Sequence, residues 1–182
     1  SDVCSSDLTI GAMAKALAGG DAASITPMPR HRYAEAFEAL RDAADAWREK
    51  TGSLPAVFLA NLGPLAKHTA RATFARNYFG VAGIECVGTE GFDDAEACVA
   101  AFKKSGAKIA CLCSADPIYE EKVATVAPAL KQAGCQYLFL AGNPGDKKAE
   151  YQGAGVDDFI ALGGNVLAQT RNTLALLGVI DR

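Results

Sequence analysis

The loop Asn61-Leu62-Gly63-Pro64-Leu65-Ala66 follows the apolar run Ala56-Val57-Phe58-Leu59-Ala60 and leads into a helix-like segment. Ligands of open parallel sheets sit at the carboxyl ends of the strands, so this loop faces whatever the domain binds. Gly63 permits close backbone approach, and Asn61 offers both a donor and an acceptor. The same residues also read as a plain turn, with Asn61 capping the following helix and Pro64 at its first position. His68 lies one turn into that helix, where a surface or capping role suits it better than ligation. His31, flanked by Arg30 and Arg32, reads as solvated or as a subunit contact.

Carboxylates occur as the adjacent pairs Asp93-Asp94, Glu120-Glu121 and Asp157-Asp158. Acid/base work needs two carboxyls converging on one bond, and sequence neighbours on a helix do not converge, so these pairs read as caps and solvated faces. Asp116 lies beyond the third strand in a capping position, and the first strand ends in Ala60-Asn61, which argues against a phosphate-accepting receiver domain. Six cysteines, Cys4, Cys86, Cys98, Cys111, Cys113 and Cys135, show no Cys-x-x-Cys spacing. Buried thiols are expected, and neither a metal site nor a disulfide framework. With two histidines no Ser/His/acid or Cys/His set assembles, and no Gly-x-x-x-x-Gly-Lys-Ser/Thr phosphate loop is present.

The elements that position these residues alternate. Strands are predicted at Ala56–Ala60, Ile84–Val87, Ile109–Cys113, Tyr137–Ala141 and Phe159–Leu162. Helices are predicted at Leu65–Phe79, Asp94–Lys104, Pro117–Ala133, Lys147–Gln152 and Val166–Leu177. Continuous apolar runs mark strands covered on both faces, as parallel strands are. Asp116-Pro117 reads as a capping acid before a first-position proline, and Gly106, Gly134 and Gly155 close three helices. The fold class is therefore α/β, a doubly wound five-stranded parallel sheet. Alternation alone permits either a flavodoxin-like order or a Rossmann half, and the lack of Gly-x-Gly-x-x-Gly after the first strand leans toward the former.

Ahead of this domain, taken as residues 54–182, residues 9–53 read as a linker. It holds a short helical stretch from Thr9 to Leu17 ended by Gly19-Gly20, and an extended piece from Ser24 to Arg32. An amphipathic helix from Tyr33 to Lys50 comes next, with Phe37, Leu40, Ala44 and Trp47 at helical spacing. Residues 1–8 fit no element of the later pattern and read as a junction or artefact, so the chain is expected to begin within a longer protein. At 182 residues there is room for one domain and an appendage. A 50% hydrophobic content argues against disorder, and a net charge of −3 gives no electrostatic case for nucleic acid. No apolar run approaches the ~20 residues that cross a bilayer, so no membrane role is expected and a cytoplasmic location is.

The wording Phe58-Leu59-Ala60-Asn61-Leu62-Gly63-Pro64, continuing into Lys67-His68-Thr69-Ala70-Arg71-Ala72-Thr73-Phe74, resembles the small subunit of heterodimeric bacterial methylmalonyl-CoA mutase, from about Thr9 to the C-terminus. The resemblance implies a cobalamin-binding type of domain, flavodoxin-like in strand order 2-1-3-4-5. In the catalytic large subunit this loop carries Asp-x-His-x-x-Gly, the His being the lower axial ligand of cobalt. Here those three positions are Asn61, Gly63 and Ala66. The family's nucleotide-tail pocket maps onto Cys113-Ser114-Ala115, onto Ala141-Gly142, and onto Gly163-Gly164 of the segment Ala161 to Gly164. The resemblance thus implies a vestigial corrinoid pocket at Asn61, Gly63, Ala66, Cys113, Ser114, Ala115, Ala141, Gly142, Gly163 and Gly164, with no catalytic residue.

For function, the resemblance implies a C-terminal fragment of the small subunit of an isomerase. It would bind no cofactor and turn over nothing alone, and would act as structural partner of a large subunit that holds adenosylcobalamin. Phe37 and Trp47 are candidate contacts for that partner, Trp47 equally suiting packing on its own sheet. Two alternatives stand beside this: a competent cobalamin carrier, and a flavin-binding flavodoxin-like module. The latter would want a hydroxyl-rich loop after the first strand, which residues 61–66 lack.

Overall fold

The computed structural model describes residues 9–18 and 32–181. Helix α1 (Ile10–Leu17), capped by Thr9 through a 3.1 Å bond from Ala12 N, belongs to a unit separate from Tyr33–Arg182. The junction segment 1–8, Gly19-Gly20, the extended piece up to residue 31, and His31 lie outside the described residues.

In the larger unit, helix α2 (Glu35–Thr51) ends at Gly52, whose φ of +83° suits the left-handed cap that glycine adopts without strain. Its apolar stripe buries Leu40 and Ala44, while Phe37 and Trp47 are half-buried. Six strands follow: β1 (Ala56–Leu62), β2 (Glu85–Val87), β3 (Gly91–Phe92), β4 (Ile109–Cys113), β5 (Tyr137–Ala141) and β6 (Asp158–Ile160). Between them run α3 (Leu65–Gly80), α4 (Ala95–Ser105), α5 (Asp116–Gln132), a 3-10 turn (Gly145–Lys147) leading into α6 (Lys148–Ala154), and α7 (Val166–Leu177).

All strand pairs are parallel, in the order β2-β1-β4-β5-β6. With β3 set aside this is the flavodoxin-like order 2-1-3-4-5. Strand β3 is an addition to the five that the sequence pattern predicts. β2 pairs with the first three residues of β1, and β3 with Asn61 and Leu62, so the two share one side of β1. Gly88 makes the break between them, with φ +98° and no room for a side chain, since a Cβ there would lie 3.0 Å from Leu59 O. A two-residue strand carries no periodicity, so the sequence pattern does not reveal it.

Alternation along the central strands sorts the core into two layers. Phe58, Ala60, Leu62, Ala110, Leu112, Leu138 and Leu140 face α4, α5 and α6. Val57, Leu59, Ile109, Cys111, Phe139 and Ala141 face α2, α3 and α7. Helices on both faces are what the continuous apolar strands require. Asp94 caps α4 through a 2.7 Å bond from Ala97 N, and Asn165 caps α7. The reading of Asp116 as a cap is corrected: Ala115 occupies the cap, Asp116 is the first helical residue and Pro117 the second.

Candidate functional site

The order β2-β1-β4 puts the chain's switch point between β1 and β4, and the residues picked from sequence are spread over the segments that follow the carboxyl ends of β1, β4, β5 and β6. Asn61 and Cys113 are register partners across that junction. Ser114, fully buried, donates its hydroxyl to Leu62 O at 2.7 Å and so stitches the two loops together. Ala115 follows as the cap of α5, Ala141 ends β5, and Gly142 comes next with φ +142°. Ala66 lies exposed in the first turn of α3, and Gly163 and Gly164 lie exposed in the turn before α7.

The loop after β1 is closed onto itself. Gly63, with φ +75°, gives its N–H to Phe92 O at 2.8 Å, and its carbonyl accepts from His68 Nδ1 at 3.1 Å. Asn61 does not cap α3; it is buried in β1 and its Nδ2 donates to Glu90 O at 3.2 Å. Pro64 takes the cap position, with Leu65 the first helical residue. His68 is not on the surface either, being 2% exposed. It shares a stripe with Ala72, Ala75 and Phe79, all buried, and that stripe turns the ring into the protein.

Three residues that sequence reasoning misses or misplaces dominate the crevice. Tyr119 is buried on α5; its hydroxyl accepts from Ser114 N at 2.7 Å and donates toward Leu112 O at 3.1 Å and Ala141 O at 2.9 Å. Burial pushes this phenol well above its ordinary range, which keeps the donating proton in place. From the other face, Arg71 of α3 donates through Nη1 to Ala141 O at 2.8 Å and through Nη2 to Asp116 Oδ1 at 2.9 Å. A Cβ on Gly142 would fall 1.6 Å from Arg71 Nη1, so only glycine leaves the guanidinium its place. The third is His68. The signal for Tyr119 is its spacing with Val123, Val126 and Leu130 on one helix face, since a buried tyrosine hydroxyl must find partners.

Beside this cluster lies a cavity of about 440 Å³ lined by Arg71, Phe74, Gly142, Asn143, Ile160 and Leu162, among others. Of the residues expected to form a pocket, Gly142 alone lines it; Asn61, Gly63 and Ser114 lie elsewhere, engaged with backbone groups of the neighbouring loops.

The remaining polar candidates are structural. Asp157 accepts from Leu138 N at 2.6 Å and pairs with Lys131, and Asp158 accepts from Gln169 Nε2 at 2.8 Å. Cys98, Cys111, Cys113 and Cys135 are buried and Cys86 half-buried, all as free thiols. Burial lifts Cys86 and Cys98 to about 12 and Cys135 to about 11, the opposite of what a reactive thiolate needs. Cys4 lies outside the described residues. Among the described residues no helix is long and apolar enough to cross a membrane.

No protein-family model matches the chain. The methylmalonyl-CoA mutase small subunit of Streptomyces virginiae is 46% identical over 152 residues, which are 84% of this chain and 24% of that protein. This chain is a homologue of part of the methylmalonyl-CoA mutase small subunit. The small subunit of Propionibacterium freudenreichii subsp. shermanii is 39% identical over 152 residues, 82% of this chain and 23% of its own length. The chain thus spans about a quarter of the length of the small subunits it matches. Among solved structures, a 3-dehydroquinate dehydratase-like protein from Bifidobacterium longum aligns at TM-score 0.40 and 12% identity, covering 71% of this chain and 100% of that one. The order of this chain's own strands, and not that likeness, defines the fold of the small-subunit homologue.

Proposed function

We propose that this chain is the C-terminal, cobalamin-type domain of a small subunit whose corrinoid site is closed. It acts in the cytoplasm as a structural partner of the catalytic large subunit of methylmalonyl-CoA mutase and binds no adenosylcobalamin itself. The observation that carries the reading is the Arg71–Ala141–Tyr119 bridge: at the carboxyl end of β5, on the edge where a doubly wound sheet receives its ligand and one strand removed from the β1/β4 switch point, the chain's own side chains meet on one carbonyl.

The residues do not fit a cobalt corrinoid. Gly63 has no side chain to ligate a metal, and its carbonyl and N–H are both engaged. His68 spends its Nδ1 on that loop and is 2% exposed, so its ring is not open to a ligand entering from solvent. Ser114 spends its hydroxyl on Leu62 O. The flavin alternative gains nothing from this loop, whose Gly63 N–H is taken by Phe92 O. On this reading catalysis is left to the partner.

Native mass spectrometry of the chain mixed with a methylmalonyl-CoA mutase large subunit tests the partnership. A one-to-one complex is the expected result. Absence of any complex, with both proteins folded, overturns the structural-partner role.

A further inference from the structure

Asn61 and His68 are 1% and 2% exposed, and each leaves one atom without a hydrogen-bond partner: Asn61 Oδ1 and His68 Nε2. Both belong to one layer. Alternation along β1 sets Asn61 on the face of Val57 and Leu59, which pack beneath α3. On α3, His68 stands in the stripe of Ala72, Ala75 and Phe79, which pack in that same cluster. Both side chains also reach the chain where it enters β3. Asn61 Nδ2 donates to Glu90 O at 3.2 Å, and a Cβ on the next residue, Gly91, would fall 2.8 Å from His68 Cε1.

The bonds each side chain does make determine the character of the atom left over. Gly63 O only accepts, so His68 Nδ1 carries the hydrogen and Nε2 of the neutral ring presents a lone pair. Glu90 O only accepts, so the amide nitrogen of Asn61 faces it and Oδ1 is the end left over. Two acceptors cannot bond each other. A molecule that donates two hydrogens and is small enough for a packed interior satisfies both, and water does so; folded proteins hold about one such buried water per ~27 residues.

We propose that a single buried water lies between His68 Nε2 and Asn61 Oδ1, donating one hydrogen to each. The polar chain then runs without a gap from Gly63 through His68, the water and Asn61 to Glu90. It ties the loop after β1 both to α3 and to the β2–β3 connection, and it makes His68 a positioning residue for the loop that contains Gly63. This inference does not depend on the mutase assignment.

The chain has two histidines, His31 and His68, so a His31→Gln variant leaves one set of ring signals. A long-range proton–nitrogen NMR spectrum at pH ~8, above the ~6.5 of an ordinary imidazole, reads the tautomer directly. The expected result is an Nδ1–H ring whose Hε1 shows cross-relaxation with a long-lived water. An Nε2–H tautomer, an imidazolium, or an Nδ1–H ring with no water contact each overturns the proposal.

Discussion

The Arg71 guanidinium and the Tyr119 hydroxyl reach the same oxygen, the Ala141 carbonyl, from opposite faces of the sheet, at 2.8 and 2.9 Å. Arg71 comes from α3 and Tyr119 from α5, so the bond pair clamps the carboxyl end of β5 between the two helical layers. The clamp fixes the carboxyl end of β5, and its Arg71, with Gly142, forms one wall of the adjoining cavity of about 440 Å³.

Removing the Tyr119 hydroxyl breaks the clamp without a cavity larger than one atom. Tyr119→Phe leaves the Ser114 N–H and the Leu112 carbonyl buried without this partner, while Ala141 keeps Arg71. The expected cost is about 1–3 kcal/mol. It is read as a lower urea midpoint with an unchanged denaturant slope; an unchanged midpoint would mean the hydroxyl does not hold the crevice.

Gly142→Ala drives a methyl into the guanidinium, 1.6 Å from Nη1, at a φ of +142° that disfavours any side chain. A destabilisation of about 2–4 kcal/mol is expected from the strain and the displaced arginine together. The side-chain clash disappears once Arg71 is shortened, so in an Arg71→Ala background the same substitution should cost roughly 1–2 kcal/mol less. Equal costs in both backgrounds would show that Arg71 does not occupy this place.

Alkaline pH should unfold the protein earlier than its surface charge suggests. Cys86 and Cys98 rise from 9.0 to about 12, Cys135 rises to about 11, and Tyr119 also shifts up, all mainly through burial. Their folded values lie above their unfolded ones, so the unfolded chain releases protons first. This contribution is fully present below pH 9 and is lost as pH climbs from there toward 12. Urea midpoints measured between pH 8 and 10.5 should therefore fall steadily, and a flat profile would contradict the burial of these groups.

Much of the fold is legible in the sequence because it rests on local pattern. Apolar strands of continuous type, glycine after helices and Asp94 before α4 all mean in the structure what they mean in sequence. The strand order is not contained in the alternation and comes from the family resemblance. His68 reads wrongly as a surface residue because α3 is rich in alanine and threonine, which blurs its buried stripe. Asp116 reads wrongly as a cap because Pro117 suits the second helical position as well as the first, and because the carboxylate is claimed by Arg71, 45 residues earlier. The missing side chain at Gly63 is plain in the sequence, but that Arg71 and Tyr119 meet on Ala141 depends on the packing of three elements far apart in the chain.

The central claim, a corrinoid site closed by the chain's own residues, is tested most directly by a visible-absorption titration with hydroxocobalamin and adenosylcobalamin, followed by gel filtration. The expected result is an unchanged corrinoid spectrum and no red colour eluting with the protein. A saturable spectral shift with cobalamin retained on the column would contradict the account, because it would require the Arg71–Ala141–Tyr119 clamp to open.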